Sequence, residues 1–268
     1  MLAPLVPHRR RLWLYTVAVL VILFLVLPVL IVVPMSFSGS RFLDFPPKQW
    51  SLRWYERFFT SPDWYGSLLT SLKAALCVTL IATPLGTAAA WALDASQHRW
   101  LRHARAVILL PLMVPNIIVA VGIFYIYART SLLGSLPGLV AAHAMLALPF
   151  VVLTVLAGLH HFDRTQELAA RSLGCTRLSA FFKVTLPQIM PSVVSGALFA
   201  FVTSLDEVVI SMLISAGENS TVTKVMFSSL RDEIDPTIAT VSTLLIVGSF
   251  IAVALGAYSA RRVNAANA

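Results

Sequence analysis

Long apolar stretches recur along this chain, and each is long enough to cross a lipid bilayer. The first covers residues 12–35, a run of 24 residues without a charged side chain. One helix needs about 20 predominantly apolar residues to span the hydrocarbon core. We predict six spans, at residues 12–35, 67–93, 106–128, 136–159, 189–215 and 237–258. The expected fold class is therefore an all-α polytopic membrane protein, with residues 1–268 forming a single transmembrane domain.

The composition agrees with this fold class and excludes several others. Hydrophobic residues make up 58% of the chain and charged residues only 12%, whereas soluble domains carry about 25% charged residues. The apolar stretches lack the strict alternation of a membrane β-barrel. The first stretch exceeds the apolar region of a signal peptide, about 7–15 residues, so we expect it to remain as a span. Cys77 and Cys175 have no partners at metal-ligand spacing, so no metal site is expected.

Basic residues are unevenly distributed between the two ends of the predicted spans. One side comprises the N-terminus, the loops near 94–105 and 160–188, and the C-terminus, and it holds 12 basic and three acidic residues. The opposite side holds seven of each. Basic residues are enriched in cytoplasmic loops, so we place the first side, and both termini, in the cytoplasm. This distribution accounts for the net charge of +8 without a nucleic acid partner.

The loop at residues 160–187 has the pattern of two short helices joined by a turn. Asp163 can cap the first helix, with Gln166 three residues later as its reciprocal partner. Gly174 suits a left-handed helix end. The second helix is expected to end before Pro187, because the residue preceding a proline disfavours the helical conformation.

Both short helices carry apolar side chains although they lie in a cytoplasmic loop. An apolar helix side exposed to water must be buried against the helix bundle or against another protein. The residues concerned are Leu168, Leu173, Leu178, Phe181 and Phe182.

This loop resembles the Glu-Ala-Ala loop of ATP-binding-cassette (ABC) importer permeases. The positions that keep the family's spacing are Ala169, Ala170, Gly174, Leu186 and Pro187. One position departs from the pattern, because Leu168 occupies the usual glutamate slot and Glu167 comes one residue earlier. A shift of one residue turns a helical side chain by about 100°, so whether Glu167 makes the family's contact stays open.

The resemblance implies a MetI-like, type I permease bundle with cytoplasmic coupling helices in a bacterial inner membrane. In that family the loop docks onto a separate ATPase subunit. The implied partners are a second homologous permease, two ATPase subunits and a periplasmic solute-binding protein. This chain contains no Gly-x-x-x-x-Gly-Lys-Ser/Thr phosphate loop. We therefore expect it to bind no nucleotide or other cofactor and to be no enzyme.

The resemblance extends to the spermidine/putrescine branch of these permeases, through residues 110–116, 204–211 and 231–239. It implies import of a small organic cation, with a polyamine as the expected substrate. Another small solute, such as an amino acid, an opine-like compound or an aminophosphonate, remains an alternative. An ion-coupled secondary transporter is a more remote alternative, and a membrane scaffold that transports nothing is a further alternative.

Two adjacent acids interrupt the predicted fifth span, at Asp206 and Glu207. A charged side chain at the centre of a spanning helix costs about 2.5–3.5 kcal/mol. Two adjacent charged residues therefore indicate a functional or structural role. On a continuous helix, Ser204 and Glu207 lie on one side that would suit the wall of a watered cavity. Carboxylates there could bind the ammonium groups of a polyamine. Alternatively, the acids could form structural ion pairs with Lys73 or Arg129.

Four further features yield expectations. Asn116 completes the predicted substrate path, although polyamine permeases tend to carry an acid at this slot. His143, in an apolar span, is expected to be a hydrogen-bonded packing residue. The external loop at residues 36–66 contains three tryptophans, which could form an aromatic belt at the headgroups or a lip that meets an external partner. The external turn at 217–221 could face a solute-binding protein.

Overall fold

A computed structural model describes residues 12–95, 99–232 and 234–266. In these ranges the chain is helical, and its only β pairing is a single antiparallel bridge between Ser38 and Trp50. The helices are α1 (Leu12–Met35), α2 (Arg53–Thr60), α3 (Pro62–Ala95), α4 (Arg99–Leu109), α5 (Asn116–Thr130), α6 (Leu136–His161), α7 (Arg164–Ser172), α8 (Arg177–Ala180), α9 (Leu186–Asp206), α10 (Val209–Ile214), α11 (Val222–Asp232) and α12 (Thr237–Ala266).

Five helices in the described part of the chain are long and apolar enough to cross a membrane, and a bent pair adds a sixth candidate. The five are Trp13–Met35, Pro62–Ala95, Leu136–His161, Arg177–Asp206 and Thr237–Ala254. The bent pair joins His103–Leu112 to Asn116–Thr130 at an angle of 99°. The predicted all-α polytopic fold is confirmed.

The third predicted span is therefore a broken helix and not the straight one expected over residues 106–128. After α4 the chain makes a 3₁₀ turn at Leu110–Leu112 and leaves the helical conformation before α5. Pro115 has an extended ψ of 129° and precedes the first residue of α5. Proline donates no backbone hydrogen bond and restricts the residue before it, which explains the break.

The fifth predicted span differs from the structure at both ends. The prediction that a second loop helix ends before Pro187 is wrong, because the chain stays helical from Arg177 to Asp206. A π-helical turn at Phe181–Thr185 leads directly into α9, with Pro187 in its first turn. The first turn tolerates proline because its N–H groups have no intrahelical partner.

At the other end, α9 stops at Asp206, short of the predicted Ser215. Glu207 has extended backbone angles, with φ −71° and ψ 114°, and the chain resumes as the short helix α10. The helical side on which Ser204 and Glu207 were expected to align is therefore interrupted between them. The acid pair marks the interruption.

Residues 12–61 and 229–246 form one compact unit. Polar contacts hold the segment of this unit that follows α1. Ser36 Oγ lies 2.8 Å from the hydroxyl of Tyr55. An ion pair of 3.1 Å joins the Arg57 guanidinium to Asp235. Since Arg57 belongs to α2 and Asp235 precedes α12, this contact ties together the two separate segments of the unit.

The aromatic residues of the external loop do not form one exposed belt. Trp50 is 69% exposed, but Trp54 and Trp64 are only 3% and 4% exposed. The Trp54 indole N–H donates to the carbonyl of Ser40 at 3.1 Å. The belt interpretation is therefore wrong for Trp54 and Trp64, which are packing residues.

Residues 62–228 and 247–266 belong to the second unit, whose core is formed by α3, α6 and α9. Small residues bring these helices close together. A Cβ added to Gly86 of α3 would lie 2.6 Å from Val151 Cγ1 of α6, and one on Gly196 of α9 would lie 3.3 Å from the same atom. Val151 is fully buried. This packing fixes the helix ends that carry the candidate sites. The prediction of one domain over residues 1–268 stays a prediction.

Candidate functional site

The predicted cap at the start of the coupling loop is present. Asp163 Oδ1 accepts hydrogen bonds from the backbone N–H of Thr165 at 3.0 Å and from its hydroxyl at 2.8 Å. Both bonds lower the pKa of the Asp163 carboxyl below its usual value, and the backbone bond has the larger effect. The expected return bond from Gln166 is replaced, because the Gln166 side-chain oxygen accepts from the amide of Gln188 in α9.

The predicted turn at Gly174 is confirmed. Gly174 has φ +95°, a left-handed conformation that favours glycine. Its N–H donates to the carbonyl of Arg171 at 3.0 Å, and the N–H of Cys175 donates to that of Ala170 at 3.1 Å. These two bonds form a Schellman motif that ends α7 and directs the chain into α8.

Glu167 faces the helix bundle, whereas the residue in the family's glutamate slot faces solvent. Glu167 Oε2 accepts a hydrogen bond of 3.0 Å from the hydroxyl of Thr185, a fully buried residue in the π-helical turn. Leu168 is 56% exposed. The one-residue departure therefore puts the carboxylate on a contact between α7 and the base of the fifth span.

Three further contacts fix the coupling loop against α3. The Arg164 guanidinium forms an ion pair of 2.7 Å with Asp94 and donates to its backbone carbonyl at 2.9 Å. The Trp91 ring lies 4.5 Å from the Phe181 ring, centroid to centroid. The Arg177 guanidinium also lies over the Trp91 ring, 5.0 Å from its centroid. Both α7 and α8 are thus anchored at the last turn of a spanning helix.

The anchored loop leaves a cleft and an apolar surface open. The cleft has a volume of about 340 Å³, and its lining includes Trp91, Asp94 and Glu167. Of the five apolar residues expected to be covered, only Phe181 is, at 5% exposure. The other four form a surface that we call the docking face; they are Leu168, Leu173, Leu178 and Phe182, with exposures of 56%, 87%, 58% and 57%.

Ala169, Ala170, Leu186 and Pro187 complete the predicted coupling set. Ala169 and Ala170 lie in the middle of α7, where Ala169 is exposed and Ala170 half-buried. Leu186 and Pro187 begin α9 and are half-buried. The structure therefore brings the coupling residues onto one anchored helix–turn–helix segment.

The two acids at the end of α9 have different surroundings. Glu207 is only 8% exposed, and its Oε1 accepts the backbone N–H of Ile210 at 2.9 Å, which caps α10. Its backbone carbonyl accepts the hydroxyl of Thr223 at 2.9 Å. Asp206 is exposed at the last residue of α9. Within the described ranges, three ion pairs are formed and none includes either acid.

The alternative in which Lys73 or Arg129 pairs with these acids is therefore wrong for this structure. The Arg129 guanidinium instead contacts Tyr125, one turn earlier on α5, where it lies 4.4 Å from the ring centroid. Asn116 lies exposed at the first residue of α5. Among the described residues, no hydrogen bond joins Asn116 to the acid pair.

A buried histidine bridges the break that separates α9 from α10. His143 Nδ1 lies 3.0 Å from Ser204 Oγ, and His143 Nε2 lies 3.1 Å from Ser211 Oγ. All three side chains are at most 3% exposed. The prediction of a hydrogen-bonded packing residue is confirmed. We call the three residues the His143 clamp; the seven-residue spacing of the two serines was its only sequence signal.

The clamp changes the interpretation of Ser204. That residue was predicted to line the substrate path, but its hydroxyl is used by His143 in a buried contact. Ser204 therefore supports the geometry of the break, while Asp206 is the exposed polar group beside it.

The turn Gly217–Asn219, predicted to be external, is held by contacts within the second unit. The Thr70 hydroxyl donates to the carbonyl of Glu218 at 3.0 Å, and the Asn219 amide donates to that of Gly134 at 2.9 Å. Nearby, Lys224 contacts the carbonyl of Ser215, and burial lowers the pKa of its ammonium group. This turn is a fixed surface, which suits a contact with an external partner.

Comparison with known proteins identifies the family. The sequence profile of the binding-protein-dependent transport system inner membrane component matches residues 82–265. The putrescine transport system permease protein PotI of Escherichia coli is 31% identical over 247 residues, which cover 90% of this chain and 88% of PotI. The spermidine/putrescine permease protein PotC of Haemophilus influenzae is 29% identical over 241 residues, 90% of this chain and 93% of PotC.

A further sequence relative and a solved structure agree with this family. The molybdenum transport system permease protein ModB of Mycobacterium bovis is 30% identical over 258 residues, which cover 91% of this chain and 92% of ModB. A solved bacterial alginate ABC transporter, in complex with a periplasmic protein bound to an alginate pentasaccharide, contains a chain with TM-score 0.74 and 15% identity. The match covers 95% of this chain and 96% of that one. This chain therefore belongs to the binding-protein-dependent inner membrane components, and it is a multi-pass permease subunit of an ABC importer and not an enzyme.

Proposed function

We propose that this permease imports a small organic cation of the polyamine class. The relatives named for putrescine and spermidine transport support this substrate class. The observation that carries the proposal is the exposed carboxylate of Asp206 at the end of a helix broken inside an apolar span.

The position of Asp206 favours a cation for an electrostatic reason. The C-terminus of a helix carries a partial negative charge from carbonyls without intrahelical partners. A carboxylate at that end is unfavourable alone, and the two negative groups together attract a positive ligand. Broken spanning helices in other transporters use such C-terminal ends to bind cations. We therefore assign the ammonium contact to Asp206 and a structural role to the buried cap Glu207.

The assembly that we propose contains a second homologous permease, two ATPase subunits and a periplasmic solute-binding protein. The docking face and the adjacent cleft are the surfaces for the ATPase, which binds the nucleotide in place of this chain. The two ATPase subunits can drive the transport cycle only if they bind the permease more tightly in one conformation than in the other. In this arrangement both termini and the coupling loop lie in the cytoplasm, and the turn Gly217–Asn219 lies on the periplasmic side.

Uptake of labelled putrescine by the reconstituted importer tests the substrate site. Asp206→Asn keeps the size and the hydrogen-bonding groups but removes the charge, so we expect the KM to rise about tenfold, which corresponds to about 1.4 kcal/mol. Glu207→Gln is the matched control, because its amide oxygen can still accept the N–H of Ile210. An unchanged KM in Asp206→Asn, with intact assembly, would remove Asp206 from the substrate path.

A less charged solute is the second candidate, and Asn116 favours it. The neutral amide occupies a slot where polyamine permeases tend to carry an acid. An amino acid, an opine-like compound or an aminophosphonate would need fewer carboxylates. Competition of the labelled putrescine uptake by each class separates these substrates: polyamines should compete best, and strong competition by a zwitterion alone would favour the alternative.

A further inference from the structure

The short helix α4 has the character of a helix that lies on a membrane surface. On a helical wheel at 100° per residue, its three arginines, Arg99, Arg102 and Arg105, fall within a sector of about 120°. Five of its seven apolar residues occupy a separate sector of about 120°, and only Ala106 and Leu109 lie outside it. Two residues of the apolar sector are open, since Trp100 is 79% and Val107 67% exposed. Such a division of cations and large apolar residues is typical of interfacial amphipathic helices.

The bend after α4 gives this helix the orientation that a surface position requires. The helical segment His103–Leu112 makes an angle of 99° with Asn116–Thr130. If α5 crosses the bilayer, α4 therefore runs nearly in the membrane plane. The 15 residues of α5 extend for about 22 Å, roughly 8 Å less than the hydrocarbon core. With the far end of α5 at the opposite boundary of the hydrocarbon core, the break lies at about the 5–10 Å depth at which interfacial helices are buried.

An apolar groove opens beside α4. Its volume is about 300 Å³, and its lining is apolar on all sides, with Leu85 and Ala89 from α3, Val107 and Ile108 from α4, and Met145 from α6. The exposed Arg105 lies on the same helix, less than one turn from Val107 and Ile108. A cation next to an apolar groove at this depth matches a lipid with an anionic headgroup and an acyl chain.

We propose that α4 and this groove bind an anionic phospholipid of the cytoplasmic leaflet. The acyl chain occupies the groove, and the headgroup phosphate binds at the cationic side of α4. The proposal relies on the cytoplasmic position of residues 94–105, where basic residues are concentrated. It does not depend on which solute is transported. An anionic leaflet surface contributes about 1 kcal/mol for each nearby basic residue, which corresponds to about a fivefold change in affinity.

Native mass spectrometry of the complete importer tests the headgroup site. The probes are phosphatidylglycerol and, as the zwitterionic comparison, phosphatidylcholine with the same acyl chains. We expect tighter retention of phosphatidylglycerol, and an affinity about 30-fold lower in the double variant Arg102→Gln/Arg105→Gln, from two contributions of about 1 kcal/mol. Arg261→Gln/Arg262→Gln removes the same charge near the C-terminus and should change the affinity little. Equal retention by the first variant and the unsubstituted importer would overturn the proposal.

A second variant tests the groove and separates a lipid from a protein occupant. Ala89→Phe fills the groove, whereas Ala88→Phe adds the same volume at an exposed neighbour that does not line it. We expect only Ala89→Phe to lower phosphatidylglycerol retention while the subunits stay assembled. If Ala89→Phe instead releases the second permease and leaves lipid retention unchanged, the groove is a subunit interface and the proposal fails.

Discussion

At the scale of single residues, the coupling loop depends on one glycine whose conformation other residues adopt at a cost. Gly174 has φ +95°, and an added Cβ would have no neighbour within 4 Å. Substitution at Gly174 is therefore limited by the backbone conformation and not by the space around it. A left-handed conformation costs a residue with a Cβ roughly 1–2 kcal/mol, with asparagine tolerating it better than most.

Substitution of Gly174 should therefore affect coupling in a graded order. We expect Gly174→Asn to retain most ATP-driven uptake and Gly174→Val to lose most of it, since a β-branched residue strains the turn that joins α7 to α8. The measurements are uptake and co-purification of the ATPase with the assembled importer. Gly66→Val is a control, because Gly66 lies in α3 with open space for a Cβ. Full ATPase binding by Gly174→Val would contradict a coupling role for this turn.

Some residue-level contacts could be predicted from the sequence and others could not. The caps at Asp163 and Gly174 follow from local chemistry, because their partners lie within a few residues in the chain. The bond from Thr185 to Glu167 joins residues 18 positions apart. It depends on the π-helical turn, which no local pattern in the sequence indicates. The same holds for the contact between Gln166 and Gln188.

At the scale of helices, hydrophobic length predicted six spans but not the breaks in two of them. The first break has a local signal in Pro115, which the length criterion alone ignores. The second has neither proline nor glycine, and it occurs at Asp206 and Glu207. There the chain leaves the helix because Glu207 caps α10 and the His143 clamp binds both sides of the break. These are tertiary contacts, so apolar length could not reveal them.

The His143 clamp should be essential for the shape of this broken helix. His143→Ala leaves the hydroxyls of Ser204 and Ser211 buried without their partner, and each unsatisfied buried polar group costs about 1–3 kcal/mol. We expect a Tm several degrees lower for the purified importer, together with reduced uptake. Thermal unfolding measured by tryptophan fluorescence checks the first effect.

The control for that measurement is His160→Ala, at an exposed position on the same helix α6. It should change the Tm little. If His143→Ala and His160→Ala unfold at the same temperature, the clamp does not stabilise the break.

At the scale of the whole molecule, the chain exposes more apolar surface than its own fold can cover. In the spans, lipid covers such surface. The docking face is different, because Leu168 and Leu173 lie outside the described spans, and Leu178 and Phe182 lie at the very start of the span Arg177–Asp206. This face also stands beside a polar cleft. Large exposed apolar patches on polar surroundings mark sites of protein interaction. In the proposed assembly, the ATPase subunit covers this surface.

Site-specific photocrosslinking within the purified importer tests whether the docking face contacts the ATPase subunit. A photoreactive amino acid at Leu173, which is 87% exposed, should form a covalent product with the ATPase subunit. The same group at Leu52, 62% exposed in the external loop, should form none. We expect a product from Leu173 whose yield changes when ATP is added. A Leu173 probe that labels only lipid or water, in an importer that still transports, would contradict this expectation.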